Sequence, residues 1–178
     1  MKKAFLLFIV GFVWCSFSAQ AQSNVVKINI ISPVFKTASV FFERAINEES
    51  SLQLGFFYTG YTGDDTKFRG FGITPEYRFY LSESAAPAGV YVAPFLRYQN
   101  FDLEDELTLD EATFSSFGGG LLIGRQWIFK ERVALDIFIG PSYVSGDVEV
   151  TEGSEGTFNV DAFDGFGLRT GVTLGLAF

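Results

Sequence analysis

In several stretches of this chain, apolar residues recur at every second position, a spacing that indicates β-strands and not helices. The clearest case is the segment from Gly165 to Phe178, which reads GFGLRTGVTLGLAF. One face carries bulky apolar side chains such as Phe166 and Leu174, and the other carries glycines, Thr173 and Arg169. Successive side chains of a strand point to opposite faces. Such a strand therefore separates an apolar environment from one that holds small and charged groups.

Seven further segments alternate in the same way, and we predict strands at 25–31, 37–46, 52–62, 68–81, 89–101, 114–129 and 132–148. With 165–178 the count is eight, and an even number returns both ends of a closed up-and-down barrel to the same side. The predicted connections alternate between short ones, such as Lys130-Glu131, and long acidic ones at 102–113 and 149–164. Pro33 lies in a connection that is short for its side, or in a bent first strand.

Composition excludes several classes of function. The chain has 22 Phe and 19 Gly, but one Cys and no His. The absence of His removes most zinc sites and all imidazole-dependent catalysis, and a single Cys cannot form a disulfide scaffold. A net charge of −8 argues against a nucleic-acid partner, because a phosphate footprint needs clustered Lys and Arg. We predict that the protein is not an enzyme and has no cofactor.

Residues 1–21 are predicted to be a secretory signal peptide. Lys2 and Lys3 precede an apolar run, and Ala19-Gln20-Ala21 supplies a small-x-small cleavage site. Bulky Trp14 before Cys15 argues against lipidation. Cleavage would remove two lysines and no acid, which changes the net charge from −8 to about −10. Residues 22–178 are then one barrel domain.

The alternation has two interpretations. A soluble barrel of the lipocalin kind places apolar residues inside, whereas a membrane barrel places them outside because lipid cannot solvate charge. The polar faces here hold few Lys and Glu, and the strand lengths suit a tilted bilayer crossing. Aromatic residues at strand ends suggest two interfacial girdles: Phe79, Tyr80, Trp127, Phe129 and Phe178 on one side, and Tyr58, Tyr61, Phe101 and Tyr143 on the other.

We therefore predict an all-β protein, an eight-stranded antiparallel up-and-down transmembrane β-barrel in the cell outer membrane, with outer-membrane lipid as a partner. A soluble periplasmic barrel that binds an apolar ligand is one alternative.

The predicted interior contains charge. An eight-stranded barrel is just wide enough for side chains to fill it, and buried charges must pair. If Lys130-Glu131 is a two-residue turn, Arg125 lies opposite Asp136. Alternation places the other members inside, which gives a lumen charge network of Glu76, Arg78, Arg97, Arg125, Asp136 and Arg169. Glu43 lies on a strand whose phase is ambiguous. We expect this network to close the lumen, and a narrow pore for ions or small solutes is the alternative.

Several segments together resemble a known family: SVFFERAINEESSLQLGFFY, ITPEYRFYL, VYVAPFLRYQNF and GGGLLIGRQWIF. They are similar to small outer-membrane β-barrel proteins, of the OmpA and OmpX type, in a domain-of-unknown-function family common in Bacteroidota. The resemblance covers 25–178 and implies an eight-stranded outer-membrane barrel with no established activity. It also implies that Phe178 is the C-terminal aromatic recognised by the outer-membrane barrel assembly machinery.

Acidic residues crowd two of the predicted long loops, 102–111 and 149–164. Hard divalent cations such as calcium or magnesium prefer such oxygen ligands, although the spacing is not that of an EF-hand. Solvated loops are the interpretation that the charge pattern favours. The expected function is a non-enzymatic structural or interaction role that exposes these acidic loops.

Overall fold

Eight antiparallel strands form a closed barrel in the computed structural model, which describes residues 23–62, 66–82, 84–105, 111–152 and 165–178. Each strand pairs with its neighbour in sequence, and the first pairs with the last, so that no sheet edge is left open. The predicted fold class is confirmed. The strands are β1 Asn24–Asn29, β2 Thr37–Asn47, β3 Ser50–Thr62, β4 Thr66–Tyr80, β5 Gly89–Asp105, β6 Glu111–Phe129, β7 Val133–Glu152 and β8 Gly165–Ala177.

Strands β5, β6 and β7 are the longest, with 17, 19 and 20 residues. They extend into segments that the sequence predicted as acidic loops, since Glu104 pairs with Glu111 at the far end of β5 and β6. The rest of those loops, 106–110 and 153–164, lies outside the described residues, as does the predicted signal peptide. None of the described residues belongs to a helix with the length and hydropathy needed to cross a bilayer.

Strands β1 and β2 are joined by a 3-10 helix, Ser32–Phe35. Pro33 lies in its first turn, where a missing N–H is tolerated. The Asn29 side chain holds the entry to this helix, because its Oδ1 accepts the backbone N–H of Ile31 at 2.9 Å and of Ser32 at 3.2 Å. Pro33 therefore belongs to the connection and not to a bent strand.

The turn between β6 and β7 differs from the prediction. Phe129 pairs with Val133, so the loop has three residues, Lys130, Glu131 and Arg132, and not two. Both Lys130 and Glu131 adopt the left-handed conformation, with φ of 48° and 59°. One extra loop residue shifts the register by one position, and a shift of one exchanges the two faces of a strand.

The barrel is apolar outside and charged inside. On β3, Leu52, Leu54 and Phe56 are 52%, 53% and 44% exposed, while the alternating Ser51 and Gln53 are buried. We call the outward side chains the apolar belt; members on the other strands include Ile73, Leu96, Leu121, Ile123, Ile137 and Ile139. The buried residues include Lys27, Glu43, Glu76, Arg78 and Asp136. This distribution is the inverse of the one that a water-soluble barrel needs.

Most of the predicted girdle aromatics are exposed near strand ends, among them Tyr58, Tyr143 and Phe129. Two of them are instead buried, since Tyr80 and Phe101 are only 5% and 9% exposed and point into the barrel. For Tyr80 the reason is the period of two, because Phe79 takes the outward position.

Gly124 of β6 is required by a close approach inside the barrel. A methyl group at this position would lie 2.5 Å from the Tyr91 hydroxyl oxygen and 2.9 Å from the Ile137 carbonyl oxygen. Neither can withdraw freely, since the carbonyl belongs to the paired strand β7 and the Tyr91 hydroxyl donates a hydrogen bond to Asp136.

We expect Gly124→Ala to lower the free energy of unfolding by about 1–3 kcal/mol, the usual effect of overpacking a filled interior. Equilibrium urea unfolding of the barrel in detergent micelles measures this. Gly60→Ala is the matched control, because a methyl group there meets nothing closer than 3.6 Å. Equal losses in the two variants would contradict the close packing described here.

Candidate functional site

Six charged side chains converge inside the barrel from five strands. We call them the charge network: Lys27, Glu43, Glu76, Arg78, Asp136 and Arg169. Each has a relative exposure of 8% or less. Most lie near the barrel end that carries Asn24, Phe178 and the short turns, which we call the short-turn end. They point inward because the residues before and after each of them on its strand belong to the outward face, and successive side chains of a strand alternate between the two faces.

Four of these groups form a closed ring of ion pairs. The Lys27 ammonium lies 2.6 Å from Glu43 Oε2 and 3.2 Å from Asp136 Oδ2. Across the ring, Arg78 Nη1 lies 2.9 Å from Asp136 Oδ2 and 3.3 Å from Glu43 Oε2. Cations and carboxylates therefore alternate around the ring, and each charge has two opposite neighbours. This geometry is what a buried charge needs to offset its loss of hydration.

Hydroxyl groups satisfy the second oxygen of each ring carboxylate. Tyr80 and Ser51 each donate to Glu43 Oε1 at 2.6 Å, and Tyr91 donates to Asp136 Oδ1 at 2.8 Å. Both carboxylates thus accept hydrogen bonds at both oxygens. Ionised groups accept stronger hydrogen bonds than neutral ones, so these hydroxyls stabilise the charged forms.

An amide and an aromatic ring complete the surroundings of the two ring cations. Gln126 Oε1 accepts from the Lys27 ammonium at 2.5 Å, and its Nε2 donates to the Pro87 carbonyl at 2.5 Å. The Arg78 guanidinium lies 4.2 Å from the centre of the Tyr91 ring, within the range of a cation–π contact.

Glu76 extends the network from the ring toward the opposite barrel end, the long-loop end. Its Oε2 lies 3.2 Å from Arg78 Nη2 and accepts from Gln53 Nε2 at 2.9 Å. Its Oε1 lies 2.6 Å from Arg169 Nη2. The Arg169 guanidinium also lies 4.5 Å from the centre of the Phe95 ring. Glu76 on β4 and Arg169 on β8 come from opposite walls of the eight-stranded barrel, so this pair spans the lumen.

A cavity of about 420 Å³ occupies the interior on the long-loop side of Arg169. Arg97 of β5 lines it, with its guanidinium 4.8 Å from the centre of the Phe57 ring. Within the described part of the chain, Arg97 forms no ion pair and its buried Nε has no hydrogen-bond partner.

The structure thus places five of the six predicted network residues inside the barrel. Glu76, Arg78, Asp136 and Arg169 are joined in one network, whereas Arg97 is inside and unpaired among the described residues. Arg125 is a correction, because it is exposed on the outer face with its guanidinium 5.0 Å from the Trp127 ring.

The cause of the Arg125 error is the three-residue loop, which pairs Asp136 with Gln126 and Arg125 with Ile137. The alternation of β6 itself contained the correct signal. Leu121 and Ile123 belong to the outward face, and Arg125 continues their odd-numbered series.

Sequence reasoning missed Lys27 and left Glu43 unassigned. Lys27 stands between the outward Val26 and Ile28, and this pattern in the segment VVKINI places its side chain inside. On β2 the pair Phe41-Phe42 hides the phase, because both faces carry an aromatic side chain there.

Two predicted sites remain, the C-terminal aromatic Phe178 and the acidic loops that could bind a divalent cation. Phe178 is held at the closing seam, where its backbone exchanges hydrogen bonds with Asn24 at 2.9 and 3.1 Å. Among the residues that the structure describes, no group of three or more acids, Cys or His could hold a metal ion. Much of both acidic segments lies outside those residues, so a divalent cation at 102–111 or 149–164 stays a prediction.

Arg78 and Arg125 allow a direct test of the network. We expect Arg78→Met to lower the free energy of unfolding by about 3–5 kcal/mol, because it leaves buried carboxylates without a partner. The matched control Arg125→Met removes the same group from the outer face, where the change should stay within about 0.5 kcal/mol. Urea unfolding of both refolded variants measures the difference. Similar losses would show that Arg78 contributes no more than a surface arginine.

Two solved outer-membrane barrels are similar to this chain. A major outer membrane protein from Thermus thermophilus is 15% identical with a TM-score of 0.50, over 88% of this chain and 100% of that one. The N-terminal β-barrel domain of Pseudomonas aeruginosa OprF is 13% identical with a TM-score of 0.43, over 89% of this chain and 100% of that one. The first likeness shows a shared barrel fold.

The sequence comparisons give two results. No curated protein matches the chain. Residues 6–175 match the sequence model of a family described as Protein of unknown function (DUF3575). The match spans nearly the whole chain, which therefore belongs to the DUF3575 family.

Proposed function

We propose that this protein is an integral β-barrel of a Gram-negative outer membrane, exported by the signal peptide 1–21, with a closed lumen and no enzymatic activity. Its role is structural or is the binding of a partner: the barrel anchors the protein in the membrane and exposes the long-loop end, with the acidic segments 102–111 and 149–164, at the cell surface. One observation carries the proposal, namely a continuous charge network inside a barrel whose outer face is apolar.

The apolar belt supports membrane insertion. Side chains such as Ile123 and Leu54 are more than half exposed, and only a hydrocarbon environment makes such a continuous surface favourable. Short turns are periplasmic and long loops extracellular in barrels of this kind. By that rule the end with Glu48-Glu49 and Lys130–Arg132 faces the periplasm, and Phe178 lies where the assembly machinery would read it.

Ion pairs that cross the barrel support a closed lumen. The Glu76–Arg169 pair joins β4 to β8, and the Arg78–Asp136 pair joins β4 to β7. In a ring of eight strands these partners lie on opposite or nearly opposite walls, so the side chains meet in the middle of the lumen. An ion would have to displace paired charges to pass.

The same pairing supports a non-enzymatic role. The Glu43 and Asp136 carboxylates accept hydrogen bonds from cations and hydroxyls at both oxygens. A general acid or base needs a free position within hydrogen-bond reach of a substrate. These carboxylates are therefore suited to hold the barrel together and not to transfer protons.

Membrane insertion predicts a depth-dependent effect of charge on the outer face. Ile123→Arg in the middle of the belt should lower the free energy of unfolding in lipid vesicles by about 2–4 kcal/mol, and Val133→Arg beside a turn by about 0–1 kcal/mol. Urea titration of vesicle-reconstituted protein measures both. If the two variants were equally stable, or the barrel stayed monomeric without detergent, the proposed insertion would be wrong.

Closure predicts the absence of steady current. Purified wild-type barrel in a planar bilayer should show negligible conductance. The double variant Glu76→Ala with Arg78→Ala should leak, because it removes both of the ion pairs that cross the lumen, with their bulk and one charge of each sign. Arg125→Ala is the control for purification and insertion. Steady, ion-selective currents from the wild type would instead support the narrow-pore alternative.

A further inference from the structure

The cavity on the long-loop side, which we call the outer pocket, has a positively charged lining. Its only charged lining residues in the described chain are two arginines, Arg97 and Arg169. Hydroxyl and amide side chains such as Thr59 and Gln99 share the wall with phenylalanines. A pocket of this volume is within the range that binds small molecules, about 300–1,000 Å³.

The charges of the interior leave one arginine without an anion. Lys27 and Arg78 are balanced by Glu43 and Asp136 in the ring, and Glu76 pairs with Arg169. Arg97 is the fourth cation against three carboxylates among the described interior residues. A largely buried cation that forms no ion pair of its own is unfavourable, so an anion that enters the outer pocket would be stabilised there.

The hydrogen-bonding groups of both arginines point to the same conclusion. Arg169 is 8% exposed and its Nη1 has no partner within the described chain, and the buried Nε of Arg97 has none there either. Both arginines line the same cavity. Each is packed on a phenylalanine ring, Phe57 for Arg97 and Phe95 for Arg169. Planar guanidinium groups fixed in this way suit the paired oxygens of a carboxylate or phosphate.

The apolar part of the pocket indicates what the anion is attached to. Phe68 and Phe101 stack with their centroids 5.2 Å apart, and Phe57 lies 6.2 Å from Phe101. All three line the pocket with Arg97. A flat apolar group placed against this wall would bury its surface while the anionic group reaches the arginines.

We propose that the outer pocket binds a small molecule that combines one carboxylate or phosphate group, held by Arg97 and Arg169, with an apolar ring against Phe57 and Phe101. The assignment goes beyond the proposed function and depends on it only for the side from which the ligand enters. A barrel that conducts would refute the closed lumen, whereas a closed barrel that binds no anion would refute the pocket.

Benzoate and phenyl phosphate are suitable probes, with inorganic phosphate and benzyl alcohol testing each half of the ligand alone. We expect calorimetric titration of the refolded barrel to show saturable binding of benzoate or phenyl phosphate, with either half alone binding about tenfold or more weakly. The Arg97→Gln variant should lose about 30-fold or more in affinity. Arg97→Lys should lose less, and Arg125→Gln nothing.

A stability measurement separates binding from a purely structural role. Because Arg97 has no ion pair within the described barrel, Arg97→Gln should keep or raise the urea midpoint of the ligand-free protein.

Binding in lipid nanodiscs separates two sources of the anion, a lipid headgroup and a free ligand. We expect benzoate to bind equally in discs of phosphatidylcholine alone and in discs that also contain phosphatidic acid. Weaker binding in the phosphatidic acid discs would show that a lipid phosphate occupies the arginines and would overturn the ring-bearing ligand.

Three further results would overturn the proposal. The first is no binding of either anionic probe to a folded wild-type barrel, or equal binding to Arg97→Gln. The second is benzyl alcohol binding as tightly as benzoate. The third is anion binding that appears only after Asp161 and Asp164 are changed to Asn, which would show that the chain's own carboxylates occupy the pocket.

Discussion

The closed ring of Lys27, Glu43, Arg78 and Asp136 is the interaction on which the interior depends. Each charge loses several kcal/mol of hydration when it is buried. The alternation of signs around the ring offsets this loss, together with the hydroxyl groups that donate to the two carboxylates. The ring joins four strands that are not all neighbours in the sheet. Because every member of the ring forms ion pairs with two others, we expect the loss of one member to weaken the contacts of all four.

A single residue in the turn between β6 and β7 sets the register in which the faces of these two strands match. With the three-residue loop 130–132, neutral Gln126 faces inward and bridges Lys27 to the Pro87 carbonyl. With the two-residue loop that the sequence predicted, Arg125 would pair with Asp136, and the outward faces of β6 and β7 would no longer lie on the same side of the sheet. The left-handed backbone of Lys130 and Glu131 forms the three-residue turn, and this turn gives the register that pairs Gln126 with Asp136.

The sequence predicted the faces of most strands. It failed where two large apolar side chains are adjacent, where a strand is short, and at Arg125, where the turn is one residue longer than predicted. Glu76, Arg78 and Asp136 follow from regular alternation on β4 and β7. Lys27 lies on the six-residue β1, where only Val26 and Ile28 on its two sides indicate the face. Which residues meet across the lumen could not be predicted, because contacts such as Glu76–Arg169 depend on the barrel's closure and on the relative heights of distant strands. The sequence did not predict the unpaired state of Arg97 for the same reason.

The most direct test of this account is the coupling energy between Arg78 and Asp136. A double-mutant cycle with Arg78→Met, Asp136→Asn and the combined variant, measured by urea unfolding of the refolded barrel, isolates that energy from the separate effects of each change. The ring predicts that the combined loss is smaller than the sum of the single losses by about 1–3 kcal/mol. Additive losses, within about 0.5 kcal/mol, would contradict it.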